Sequence, residues 1–361
     1  MSAGLDAVAT LQETMLASPG AVLPTASGTK PALSTPPPGV SALDVSGIRG
    51  IVEYDPAELT FTALAGTPLS EVVEALAEHG QYLPFDPPWV DAGATLGGTV
   101  AAGLSGPGSH RHGGVRDFIL GVRLLDGDGR LVGGGGKVVK NAAGFDVSKL
   151  VVGSLGRLGV LVRMSFKVFP APEAWATLRV TTNGLADALE LTARLGGSTF
   201  ELEALDLVPP GELWLRLGGP ASTLAPRLDR LAAFVDRPAE RIDGDEEARC
   251  WRAARELDWV PADAALAKVA AMPRRLADLD RALHAAGAER RYSRAGNLAW
   301  VAWPAQRPLS ELHAALDGLG LAGTLLRGGT GAAPLLGAKR GGAFAHRVRT
   351  ALDPHDRFPV I

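Results

Sequence analysis

The chain is poor in thiols: Cys250 is the one cysteine among 361 residues. A lone thiol excludes an internal disulfide and cannot supply the several thiolates of an iron–sulfur cluster, so any such cluster belongs to a partner. Charge of one sign is equally scarce. Lys and Arg number 36 against 39 Asp and Glu, a net −3, which provides no clustered basic face for DNA or RNA. No apolar run reaches the ~20 residues of a membrane span. The opening Met1-Ser-Ala-Gly-Leu-Asp-Ala7 also lacks the basic region and apolar core of a signal peptide. These absences lead to the expectation of a cytoplasmic protein with no nucleic-acid partner.

Several familiar motifs are missing too. Gly133 to Gly136 is followed by Lys137-Val138, without the Ser or Thr of a phosphate loop. Gly153, Gly156 and Gly159 fall three apart, which is not the G-x-G-x-x-G dinucleotide fingerprint, so a nicotinamide-binding Rossmann unit is disfavoured. Asp126-Gly-Asp-Gly129 is a hairpin signal between strand-like Phe118–Leu125 and Arg130–Val132. Arg130 occupies what would be the third acidic position of a calcium loop, and no metal is expected.

Small residues are what the chain has in abundance, including 45 glycines. They concentrate in Asp91-Ala-Gly-Ala-Thr-Leu-Gly-Gly-Thr-Val-Ala-Ala-Gly-Leu-Ser-Gly106 and recur in Gly153-Ser-Leu-Gly-Arg-Leu-Gly-Val160. Glycine costs conformational entropy, so such runs between hydrophobic strands suggest that the backbone approaches a ligand closely, here the pyrophosphate and adenosine of a flavin. Upstream, a brief strand at Ala21–Leu23 leads into Thr25, Ala26, Ser27, Gly28, Thr29 and Lys30. This stretch is either an ordinary surface turn or an anion-binding nest with Lys30 as its positive charge.

Around these stretches the chain reads as a helix over Leu5–Leu16 and strands at Leu43–Val45, Gly50–Tyr54 and Leu59–Leu64. A helix at Glu71–His79 follows, with Thr67 as its expected cap and Pro68 at its first position. After Pro172 the texture changes to two rounds that follow strand, helix, strand, strand, helix, strand, the split ferredoxin-like pattern. The first round spans Thr177 to Val235 and the second Ala267 to Arg327. A charged helix at Asp243–Trp259 lies between them, and Ala343–Leu352 closes the chain.

Thr95–Gly106 together with Arg116-Asp-Phe-Ile-Leu-Gly121, Gly144-Phe-Asp146 and Gly153–Val160 resembles the vanillyl-alcohol-oxidase-type (PCMH) FAD-binding fold. More narrowly, Tyr54-Asp-Pro-Ala-Glu58, Gly66-Thr-Pro68, Lys140-Asn-Ala-Ala-Gly-Phe-Asp146 and Gly153-Ser-Leu-Gly156 resemble the FAD-binding E subunits of glycolate oxidases. The resemblance implies an α+β protein: a two-subdomain PCMH-type FAD-binding domain over 1–172, a ferredoxin-like α+β cap over 173–327, and a segment 328–361 returning to the FAD domain. It implies non-covalent FAD, with Thr25 to Lys30 on the pyrophosphate. Thr95, Gly97, Gly98, Gly103 and Ser105 would run along the phosphates and ribityl, and Gly159 and Val160 would meet the adenine. It also implies a D-type flavoprotein and an F-type iron–sulfur subunit as partners, a 2-hydroxy acid substrate, and a peripheral place at the inner membrane through the complex.

Oxidising a 2-hydroxy acid requires a base for the hydroxyl proton and cations for the carboxylate. The sequence displays no such set, and the His-x-His motif of the related catalytic subunit is absent from Thr177 to Arg327. His110 and His112 are either surface residues or contacts for a metal or substrate. Arg116 and Asp117 form either a structural pair or a flavin contact. Arg290, Arg291, Arg294 and Arg327 are further cations of the cap. The expected role is therefore electron relay or accessory flavoprotein. The alternatives are a scaffold with structural FAD and a stand-alone FAD-dependent oxidoreductase.

Overall fold

The computed structural model describes residues 2–136, 146–329, 333–339 and 341–360. Of the Lys140–Asp146 motif only Asp146 falls within them. The chain divides into two compact units. One comprises Met1–Ser105, Gly113–Ala171 and Arg340–Ile361, and the other Gly106–His112 and Pro172–Lys339.

The first unit contains two sheets that position the site. Strands β1 (Val22–Thr25) and β2 (Ser41–Asp44) pair in parallel, with Leu11 and Met15 of the helix Ser2–Ala17 buried in the same core. Strands β3 (Ile51–Asp55), β4 (Thr60–Leu64), β5 (Gln81–Tyr82), β6 (Ile119–Leu125), β7 (Leu131–Gly135), β8 (Val160–Lys167) and β9 (Phe169–Pro170) follow. Five of them form an antiparallel sheet in the order β3-β4-β8-β6-β7. The hydrophobic residues of β4, β6 and β8 meet around Phe61, Phe118 and Phe166, all almost wholly buried, with the Phe61 and Phe166 rings stacked 5.5 Å apart.

Two local expectations are corrected here. Thr67 does not cap the helix Leu69–Ala77. Extended Pro68 stands at its N-cap, while the Thr67 hydroxyl donates to the Leu64 carbonyl at 2.7 Å and accepts from Gly50 N–H at 2.9 Å. The glycine-rich run also contains a helix, Leu96–Ala102, which the sequence does not announce. Thr95 Oγ1 caps it by accepting from Gly98 N–H at 3.2 Å, and left-handed Gly103 ends it. A Cβ on Gly97 would come within 2.8 Å of Ala65, so the glycine permits this helix to lie against the chain leaving β4.

The same unit is closed from downstream. After the helix Gly342–Leu352, buried Asp353 accepts from the backbone N–H groups of Arg357 (2.7 Å) and Phe358 (2.9 Å). Phe358 is fully buried in the core, and the Arg357 carbonyl accepts from Val22 N–H at the start of β1.

The second unit is built on a nine-stranded sheet. Its first half runs β10 (Ala174–Thr181), helix Leu185–Gly196, β11 (Ala204–Val208), β12 (Glu212–Gly219), helix Ala221–Val235 and β13 (Ala239–Asp243). Its second runs β14 (Ala265–Ala270), helix Leu276–Ala285, β15 (Glu289–Ser293), β16 (Leu298–Trp303), helix Leu309–Gly318 and β17 (Ala322–Arg327), with β18 (Leu335–Gly337) beyond. The order β13-β10-β12-β11-β15-β16-β14-β17-β18 contains the ferredoxin-like arrangement twice, joined where Leu207 of β11 faces Tyr292 of β15. Strands β13, β15 and β18 are not foreseen from the sequence, which reads Gly328 to Gly342 as loop. In β13 only Ile242 is buried, and β15 reads Glu-Arg-Arg-Tyr-Ser, whose two arginines are paired with Asp280 and Asp206.

Candidate functional site

The main cleft of the first unit is lined by every residue of the turn Thr25–Lys30, by Thr95, Gly97 and Gly98 at the start of the helix Leu96–Ala102, and by Gly156 and Gly159 of the later glycine run. Leu33, Val45 and Leu161 add an apolar wall, and no lining residue carries an imidazole, thiol or phenol. The remaining residues proposed from sequence stand behind this surface. Gly103 packs against Gly153, where a Cβ would come within 3.3 Å of that backbone. Ser105 Oγ accepts from Val115 N–H at 2.9 Å. Val160 is fully buried opposite Leu125, and it is the next residue, Leu161, that reaches the cleft.

Lys30 dominates the electrostatics. It is 7% exposed, and Nζ donates to Thr29 Oγ1 at 2.8 Å and lies 5.5 Å from the centroid of the Trp89 ring. No carboxylate pairs with it among the described residues, and burial lowers its pKa from 10.5 to about 8. A Cβ on Gly98 would stand 3.1 Å from Thr95 Oγ1 and 3.7 Å from the Lys30 Cε and Nζ atoms. The absent side chain thus keeps open the space between the capped helix start and the ammonium. A buried cation without an anion, beside backbone bare enough for close approach, fits a pyrophosphate.

Candidates elsewhere resolve as follows. Asp117 accepts from Gly114 N–H at 2.8 Å and does not pair with exposed Arg116. In the second unit, Arg290 is held by Asp280, and Arg291, 7% exposed, donates from Nε to Asp206 at 2.9 Å. Arg327 donates to the carbonyls of Pro261 and Ala264. His112 hydrogen-bonds Glu203 at 2.9 Å, and Arg111 pairs with the same carboxylate. His110 stands near Glu203 and Arg294, and its imidazole is lowered chiefly by burial and then by the Arg294 charge. Burial and the same Arg294 lower Lys268 to about 8. His110 and Lys268 thus both feel the charge of Arg294, a coupling that sequence reasoning missed because the three come from distant segments. Among the described residues no group of three or more His, Cys, Asp or Glu is placed to hold a metal, and no helix is long and apolar enough to cross a membrane.

Comparison with known proteins agrees with the cleft. The family model of the FAD binding domain matches residues 5–135. Glycolate oxidase subunit GlcE of Escherichia coli (strain K12) is 42% identical over 232 residues, which cover 64% of this chain and 62% of that protein. Glycolate oxidase subunit GlcD of Bacillus subtilis (strain 168) is 28% identical over 232 residues, covering 63% and 48%. The chain therefore spans less than two thirds of the length of these relatives. A solved structure of alkyldihydroxyacetonephosphate synthase superposes with a TM-score of 0.71 over 98% of this chain and 73% of that one, at 13% identity, and shows the fold alone. The α+β architecture and the match to the FAD binding domain over residues 5–135 make the chain similar to FAD-binding proteins, the glycolate oxidase subunits among them.

Proposed function

We propose that this chain is the FAD-binding subunit of a complex that oxidises glycolate to glyoxylate, acting as electron relay or accessory flavoprotein beside a D-type flavoprotein and an F-type iron–sulfur subunit. The observation that carries the proposal is buried Lys30, a cation with no carboxylate partner among the described residues, set in a cleft lined by the turn Thr25–Lys30 and the glycines beside it. The turn and Lys30 would hold the pyrophosphate, and Thr95, Gly97 and Gly98 would let the backbone run alongside it. Gly159 and the apolar wall would receive the adenine. Gly103, Ser105 and Val160 would fix the shape of that surface from behind. Bound FAD supplies a two-electron acceptor. Lacking a residue suited to covalent attachment in its lining, the cleft would hold it non-covalently. With a single cysteine the chain would hold no iron–sulfur cluster of its own and would hand electrons to the cluster of its partner, and the complex would sit at the periphery of the inner membrane.

A second reading, in which this chain itself receives the hydroxy acid, draws on the coupling of His110 and Lys268 to the Arg294 charge in the second unit. Lys268 and Arg294 would bind the carboxylate, and His110, kept neutral by burial and by Arg294, would take the hydroxyl proton. Stopped-flow reduction of the FAD-loaded chain by glycolate, alone and in the reconstituted complex, separates the readings. Slow reduction alone with turnover in the complex supports the relay. Rapid reduction alone that falls about 10²–10⁴-fold in His110→Asn supports the second reading. Acid precipitation should release the yellow chromophore to the supernatant. A colourless protein that cannot be reconstituted with FAD overturns both readings.

A further inference from the structure

Independently of the flavin, we infer that the second unit contains a binding site for an organic carboxylate with a flat apolar body, in the cleft between the helix Gly244–Glu256 and the junction of β11 with β15. The helix is anchored by Trp251, whose ring meets that of Trp214 edge-on at 5.7 Å and whose indole N–H donates to Thr177 Oγ1. Two residues further along, the helix presents Ala253 and Ala254, too small to fill the space, and a cleft opens walled by the indoles of Trp214 and Trp259.

The lining selects charge as well as shape. Arg291 is buried, its guanidinium 4.3 Å from the centroid of the Trp214 ring. Its Nε is taken by Asp206, whereas its Nη2 is shielded from solvent and finds no hydrogen-bond partner among the described residues. The indole N–H of Trp259, in the same lining, is likewise shielded and without a partner. Buried donors are rarely left unpaired, and on two residues of one cleft lining they mark a local shortage of acceptor oxygens, which a carboxylate would relieve once either side chain turns toward it. Arg249 adds a positive charge at the exposed rim beside the His284 imidazole, where Glu289 is the one acid among the described lining residues. Arginine pairs with carboxylates through two parallel donors, and a flat body between indoles gains stacking as well as apolar burial. An aromatic carboxylate meets all these requirements, while a small hydroxy acid leaves the indole walls uncovered.

The test is isothermal titration of the FAD-loaded protein with benzoate, beside its neutral analogue benzyl alcohol. Benzoate should bind saturably and benzyl alcohol about tenfold or more weakly, the difference one charge-assisted pairing makes. Ala253→Phe, which fills the cleft, should abolish the binding while flavin absorbance and melting temperature are kept. If that variant does not fold, Arg291→Lys decides, because it retains the charge opposite Asp206 but loses the forked donors, and should weaken benzoate about tenfold. Absence of saturable benzoate binding, equal affinity for the alcohol, or undiminished affinity in the folded variant overturns the inference.

Discussion

Replacing Lys30 by methionine should do two opposite things at once. A fall in pKa from 10.5 to about 8 corresponds to a penalty of about 3 kcal/mol on the charged form in the ligand-free fold. Because the folded value lies below the unfolded one, that penalty is fully present below pH 8 and vanishes as pH rises toward 10.5. Lys30→Met removes it. The ligand-free variant should therefore be as stable at pH 7 as the parent or more so, even after losing the hydrogen bond to Thr29. With FAD bound the ammonium gains an anionic partner and holds its proton to higher pH. Affinity of the parent should thus be maximal below pH 8 and fall by up to tenfold per pH unit above it. The variant should bind FAD about 10–100-fold more weakly, the worth of a charge-assisted hydrogen bond of about 1.5–3 kcal/mol, and should lose this slope. Quenching of FAD fluorescence between pH 7 and 9.5 gives the affinities, and thermal melts followed by circular dichroism give the ligand-free stabilities. Unchanged affinity in the variant, or the same slope in both proteins, refutes the assignment of Lys30 to the pyrophosphate.

Further substitutions probe the neighbouring parts. Gly98→Val should reduce FAD affinity at least about 100-fold with the far-ultraviolet spectrum intact, since its side chain enters the space between Thr95 Oγ1 and Lys30, and absorbance at 450 nm after reconstitution is the readout. Asp353→Ala leaves two buried backbone donors without an acceptor and should cost about 2–5 kcal/mol, seen in urea melts and as faster hydrogen exchange over 353–358. Asp206→Ala strips Arg291 of its partner and should destabilise by about 3–5 kcal/mol, and an unaltered urea midpoint would show that the pair is not needed.

That the turn Thr25–Lys30 and the glycine runs would meet at one cleft was legible in the sequence because such a surface depends on what side chains do not do. Gly98 and the turn Thr25–Lys30 signal close backbone approach wherever they are placed, and the order of the glycine runs carried the family resemblance. The helix Leu96–Ala102 was not legible, because Gly97 and Gly98 are poor helix formers. It forms only with Thr95 as cap and Ala65 at packing distance. Strand β15 was hidden for a different reason. Two arginines in five residues read as exposed cations, and only the fold supplies Asp280 and Asp206 to neutralise them. The coupling of His110 and Lys268 to Arg294 has no sequence spacing at all, since the three stand on a short helix, a strand and a turn far apart in the chain.

The segment around Asp353 and Phe358 also governs the order in which the molecule is made. It lies downstream of the whole second unit in the chain, yet Phe358 completes the core that contains β1 and β2. During synthesis the first unit therefore stays unfinished until the ribosome has passed the nine-stranded sheet, leaving apolar surface in need of its last partner throughout that interval. If the second unit folds meanwhile, it shortens the effective loop that Phe358 must close, and the entropy of that closure grows only slowly with length. Retention of FAD by the nascent chain should accordingly lag behind folding of the second unit, and a ribosome stalled before residue 353 would hold a cleft whose residues have all been translated but whose supporting core is still open.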